Sequence, residues 1–297
     1  MRQVGRATTG ARNGLTMAIR FYGDESEDKT EKVHAIGGFI GFAEEWDEVQ
    51  EKWIARVKPT GVSAYHMTDC ECGYGEFSDK NGWKKKDRDQ LTIDLIEIIS
   101  KHNIFLIGEG VLLDDYRCLP PVDDEREMLG HDKWHMVFQG ILQDAAIAVG
   151  EAAPPEETVA FFFDWKEKQG AAQNLFDYTQ KEQRLQIWRH RLGTLTFGHK
   201  EFDVPGSLPL LQIADIAAVE TRKAIGNPIT HPHLNERKSF ARLKEAGNVM
   251  SIKYLTQPIL EIIYELKREE LGLPNKAHEA RNTLKRLRAK KQQAKPK

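Results

Sequence analysis

Acids placed at the ends of apolar segments constrain this chain more than any other feature. Ala18-Ile19-Arg20-Phe21-Tyr22-Gly23-Asp24-Glu25-Ser26 reads as a strand through Ile19, Phe21 and Tyr22 that runs straight into two acids. Gly23 lets the backbone come close to a neighbour just ahead of Asp24. Thr158 to Phe163 is an unbroken apolar run closing on Asp164, and the stretch Leu208 to Ala218 carries Asp215 as its one acid in an otherwise apolar helix. A buried charge is costly without a partner, so acids in such places ask for a cation. The expectation is that Asp24, Asp164 and Asp215 meet in space and hold a divalent metal.

Carboxylates are hard oxygen donors that suit Mg²⁺ or Mn²⁺. Two such ions roughly 4 Å apart activate a water and stabilise the leaving oxygen of a phosphodiester. Asp24, in the first strand, is the best candidate to bridge them. Glu25 points to the opposite face if the strand continues, which makes it a secondary candidate. For a fourth acid, Asp69 is favoured over Glu76 and Glu109. Asp69 and Glu76 belong to a loop dense in polar and reactive side chains, Ala64 to Phe77, of the kind that carries function.

The rest of the pattern is that of an α/β domain with a mixed sheet. Val33 to Gly41 reads as a second strand in a hairpin with the first across a polar turn, Glu27 to Lys32. Helices are expected over Glu44–Val57, Lys84–Lys101, a long segment from Trp134 to Val149, Ala171–Ile187 and Leu208–Ile225. Strands are expected at Ile104–Leu113, Thr158–Phe163 and Thr194–Gly198, the second of these apolar on both faces as in a covered parallel strand. Beyond Asn227 the pattern weakens until Ile259, Ile262, Ile263 and Leu266 mark a last core-facing helix, stopped by Gly272 and Pro274.

Tyr22-Gly23-Asp24-Glu25-Ser26, Gly37-Gly38-Phe39, His66 with Asp69, Phe162-Phe163-Asp164 and Leu211-Gln212-Ile213-Ala214-Asp215-Ile216-Ala217 together resemble the bacterial and phage family called domain of unknown function 3800. The resemblance spans about Ala18 to Ile225 and departs from the family at Glu27, where a glycine is usual. It implies a ribonuclease H-like fold, a mixed sheet flanked by helices, with metal-binding acids at Asp24, Asp164 and Asp215 and, less directly, Glu25 and Asp69. To that fold this chain adds a C-terminal helix and a basic tail. The organisation expected is a disordered extension over 1–16, one ribonuclease H-like α/β domain over 17–273 and a tail over 274–297.

From Lys276 onward nine Lys or Arg stand against Glu279 alone, a net +8, which leaves the preceding residues at −10 within an overall −2. An acidic body with a basic tail suggests a polyanionic partner, with Lys285, Arg286 and Arg288 as contacts; the alternative is a solvated, disordered terminus. Lys200 and Arg222 are further candidates for nucleic-acid contact, and His199 with Lys200 for a general acid or a phosphate contact. Trp188-Arg189-His190-Arg191 offers either a surface for a nucleic-acid strand or a turn beside a half-buried Trp. His66, Cys70 and Cys72, with His131 and His135, are an alternative donor set for zinc. Three cysteines are too few for a disulfide framework and point to a reducing cytoplasm. No apolar run approaches the roughly 18 residues of a membrane span. No phosphate loop, dinucleotide fingerprint or nucleophile elbow is present. The function expected is that of a metal-dependent nuclease acting on DNA or RNA, or of an accessory protein that binds nucleic acid and keeps the fold without turnover.

Overall fold

The computed structural model describes residues 19–28, 32–119, 132–164, 169–181 and 188–270. The extension over 1–16, His131 and the basic tail with Lys285, Arg286 and Arg288 lie outside them. Six strands, β1 (Ile19–Asp28), β2 (Val33–Phe42), β3 (Ile104–Leu112), β4 (Val159–Asp164), β5 (Leu192–Gly198) and β6 (Val249–Leu255), form one sheet in the order β5-β4-β1-β2-β3-β6. Only β2 runs against its neighbours; every other pairing is parallel. The architecture is therefore α/β with a mixed sheet, the hairpin of β1 and β2 at its centre.

The helices are α1 (Ala43–Val57), α2 (Met67–Cys72), α3 (Lys85–Ser100), α4 (Leu113–Tyr116), α5 (Lys133–Ala152), α6 (Gln169–Lys181), α7 (Leu211–Thr230), α8 (Lys238–Ala246) and α9 (Gln257–Glu270). Alternation along the strands divides the core in two. Phe21, Ile36, Ile107 and Phe161 pack with Phe138, Ile141 and Leu142 of α5 on one face. Tyr22, Phe39 and Leu106 pack with Trp46 and Trp53 of α1, Leu91 and Leu95 of α3, and Ile213 and Ala217 of α7 on the other.

Two glycines set how near α7 comes to the sheet. A Cβ on Gly37 of β2 would lie 2.4 Å from the Ala217 carbonyl oxygen, and one on Gly108 of β3 would lie 2.1 Å from Thr221 Oγ1. With hydrogen there instead, the small face of α7, Ala214, Ala217, Ala218 and Thr221, rests directly on the backbone of β2 and β3. That close seat fixes the height of Asp215 above the sheet.

Three expectations change. β1 runs on to Asp28 through the segment read as a turn, because antiparallel pairing with β2 continues to Asp28 opposite Val33. Asp24 thus sits within β1, at the point where the parallel strand β4 stops. Beyond Asn227 the chain forms α8 and the edge strand β6, whose half-exposed residues give only a weak alternation. In α9 Leu260, Glu261 and Tyr264 are buried, while Ile259 and Ile262 are exposed rather than core-facing. None of the described helices is long and apolar enough to cross a membrane.

Candidate active site

The pairing that sets Gly23 opposite Phe163 brings Asp24 and Asp164 side by side at adjacent parallel strands. Asp164 in turn lies opposite Gly198, so the chain leaving β5 carries Lys200 into the same crevice. Asp215 enters from the second turn of α7. In open α/β sheets ligands bind outside the carboxyl ends of the strands where the strand order reverses, and this crevice beside β1 is such a place.

The three carboxylates converge on one atom. Lys200 Nζ lies 2.8 Å from Asp24 Oδ2, 3.2 Å from Asp164 Oδ2 and 3.5 Å from Asp215 Oδ1. Lys200 is buried, and burial alone works against its charge; the carboxylates of Asp24, Asp215 and Asp164 outweigh that and hold the ammonium well above the ordinary lysine range. Backbone donors fix two of the acids further. Asp24 Oδ1 accepts from Glu25 N–H at 2.7 Å, and Asp215 Oδ2 accepts from Met67 N–H at 2.7 Å, at the start of α2.

His66 forms the lip. Its Nδ1 approaches Asp215 Oδ1 at 3.7 Å, an ion-pair separation, and its side chain is 38% exposed. Interaction with the Asp215 carboxylate raises the imidazole above its usual value against the opposing effect of burial, and the charge of Asp69 adds to the rise. Asp69 therefore stands at the margin of the cluster, acting on it through His66, with its carboxylate turned towards Gly75.

Gln212, which the sequence offers only as part of the Leu211 to Ala217 segment, organises the site from behind. Fully buried, it accepts through Oε1 from Trp53 Nε1 at 3.0 Å and Tyr65 N–H at 3.1 Å, and donates through Nε2 to the Lys200 carbonyl at 2.7 Å. One amide thus ties α1, the approach to α2 and the strand-end lysine to α7.

Other candidates fall elsewhere. Glu25 lies on the opposite face of β1, where its charge acts on His34. Glu76 accepts from Ser63 N–H and Oγ–H and closes a loop. Glu109 is buried against Gly140 of α5, on the far face of the sheet from Asp24. Arg222 is buried, donating to Ser26 Oγ at 2.9 Å, and like Lys200 it does not present its charge on the surface. Trp188 is buried, and Arg191 donates to the carbonyls of Pro154, Glu157 and Ala153 and braces a loop, while His190 is exposed.

Among the described residues the zinc donor set does not assemble. The Cys70 thiol is buried against Thr92 and the Arg88 carbonyl and pushed by burial up to about 11, which keeps it protonated, and Cys72 is exposed. His135 pairs through Nδ1 with Asp132 Oδ2 at 2.6 Å as a structural contact.

Among the described residues no group of three or more His, Cys, Asp and Glu is arranged to hold a metal ion. The reason is visible in the distances. The acids surround an ammonium at hydrogen-bond lengths, whereas Mg²⁺ takes oxygens at about 2.0–2.1 Å. By chemistry the donors suit a hard divalent cation; by geometry they must draw inward, and Lys200 must leave, for one to sit among them. Compared with known proteins, the chain matches no family model and no curated sequence.

Proposed function

We propose that this protein is a phosphodiesterase of the ribonuclease H-like kind that cleaves nucleic acid with Mg²⁺ or Mn²⁺. The observation that carries the reading is the convergence of Asp24, Asp164 and Asp215, from β1, β4 and α7, on one buried point. The mixed sheet, with its acids beside the ends of parallel strands, supports the likeness to the domain of unknown function 3800 family. Asp24, Asp164 and Asp215 would hold the cation, which supplies an activated water and charge stabilisation for the leaving oxygen. Asp24, held by the Glu25 amide on the strand that pairs with β4, orients the set. His66, exposed at the lip with its basicity raised by Asp215, is placed to give a proton to a leaving oxygen. Asp69 tunes His66 rather than completing the ligand set, and Glu25 serves by its backbone. The basic tail adds sequence-independent attraction for the phosphate backbone.

The test pairs binding with turnover. Mn²⁺ titration by calorimetry on the wild type is compared with Asp24→Asn and Asp215→Asn, and all three are assayed on end-labelled single- and double-stranded DNA and RNA. Wild-type binding and cleavage, both lost in the two variants, is the expected result. No cleavage by the wild type, with nucleic-acid binding that neither variant alters, overturns it in favour of an accessory protein. That second reading draws on one observation, the Lys200 ammonium at the centre of the acids.

A further inference from the structure

Lys200 stands where the three carboxylates meet, and its attachments determine which part of it is free to move. The Lys200 carbonyl is held by Gln212 Nε2. The residues around it are tied by His199 N–H to the Gly206 carbonyl at 3.0 Å, Leu208 N–H to the His199 carbonyl at 2.7 Å and Phe202 N–H to the Ser63 carbonyl at 2.8 Å. The backbone is therefore pinned, and motion is left to the flexible four-carbon stem and its compact charge. Exposure shows the way out. Asp24 is closed off at 2%, but Asp164 and Asp215 keep 14% and 15% of their side-chain surface and adjoin the open face of His66.

We infer that Lys200 is a resident counter-ion which exchanges with a divalent cation for the same three carboxylates, so that the chain itself regulates entry to the site. This rests on the metal reading above. An ammonium and a divalent cation at one point exclude each other by volume and by repulsion, which in so buried a place is not screened by water. Without the cation, Lys200 keeps three neighbouring carboxylates from repelling one another and holds them preorganised. When the cation enters, the stem swings towards the lip beside His66. There the ammonium faces the phosphate of a bound strand, and the two events reinforce each other: a phosphate that holds Lys200 outside favours the cation, and the cation frees Lys200 for the phosphate.

The experiment uses the full chain and Mn²⁺ alone. Calorimetry on the wild type, Lys200→Met and Lys200→Arg is expected to give at least tenfold tighter Mn²⁺ binding for Lys200→Met and no gain for Lys200→Arg. A second measurement needs no variant: acylation of lysines by a small amine reagent, read by peptide mass spectrometry, is compared in Mn²⁺ and in chelator. Lys200 is expected to be labelled several-fold faster in Mn²⁺, with the exposed Lys52 and Lys58 unchanged. Mn²⁺ binding of equal strength in all three proteins, or Mn²⁺ binding by the wild type with Lys200 labelling unchanged, overturns the exchange and leaves the metal reading standing. Absence of Mn²⁺ binding in every protein overturns both.

Discussion

Replacing Glu109 with Gln should make the protein more stable at mildly alkaline pH, because the carboxyl it replaces is buried. Glu109 lies in β3 with its carboxyl against α5, and burial first, then the nearby Asp144, push it from 4.5 up to about 8, with Lys253 opposing. The unfolded chain therefore releases this proton near 4.5 while the folded chain keeps it to about 8. Between those values the folded state binds more protons, so stability falls as pH rises. Each pH unit of that interval costs about 1.4 kcal/mol, a total on the order of 5 kcal/mol, fully present above about pH 8 and absent below about pH 4.5. Glu109→Gln keeps the shape, carries no charge at any pH and removes that slope. Urea unfolding at several pH values between these limits measures it, with the midpoint read at constant m-value. The expected result is two curves that coincide at the acid end and diverge steadily towards the alkaline end, the variant above the wild type. Parallel curves would refute the reasoning, since they would mean that Glu109 ionises in the folded protein as it does in the unfolded one. The same result bears on function, because a carboxyl that stays neutral through physiological pH, on the face away from Asp24, is no ligand for the cluster.

Gln212→Leu leaves the Trp53 indole N–H, the Tyr65 amide and the Lys200 carbonyl without their partner. At about 1–3 kcal/mol for each buried unsatisfied group, a loss of roughly 3 kcal/mol or more is expected by urea unfolding, and a loss below 1 kcal/mol would show that the amide is not the organising contact. Gly108→Ala forces a methyl against Thr221, at 2.1 Å from its Oγ1 and 2.5 Å from its Cγ2, and is expected to cost about 1–3 kcal/mol. Thr221→Ala should restore part of that loss in the double variant, because Thr221 Oγ1 is buried without a hydrogen-bond partner among the described residues and gives up little when removed. Strict additivity of the two effects by denaturation would deny the contact.

The parts of the molecule that announced themselves in the sequence are those whose physics is local. An unbroken apolar run ending in Asp164, or a lone Asp215 on an apolar helix, is visible because so few environments accept a buried carboxylate. The hairpin of β1 and β2 and the amphipathic α1, α3 and α5 follow from periodicity in the same way. Elements whose character is set by distant neighbours did not show. Val249–Leu255 becomes a strand because β3 offers it an edge, and its half-exposed side chains carry little alternation of their own. In α9 Ile259 and Ile262 compete with Leu260 and Tyr264, and the place where the helix docks buries the second pair. Lys200 stands out in the sequence as a phosphate or nucleic-acid contact, but not as the partner of the acids, because that position depends on the register that sets Asp164 opposite Gly198. That last case limits what an acid constellation in a sequence establishes. Carboxylates among apolar residues require a positive partner, but the requirement is met by any cation that reaches them, and a lysine of the same chain is the nearest one. Three acids set among apolar residues therefore predict a centre of positive charge. Whether that charge is exchangeable depends on how its carrier is held, and here the backbone of Lys200 is fixed by hydrogen bonds while the side chain is held through its ammonium by the acids themselves.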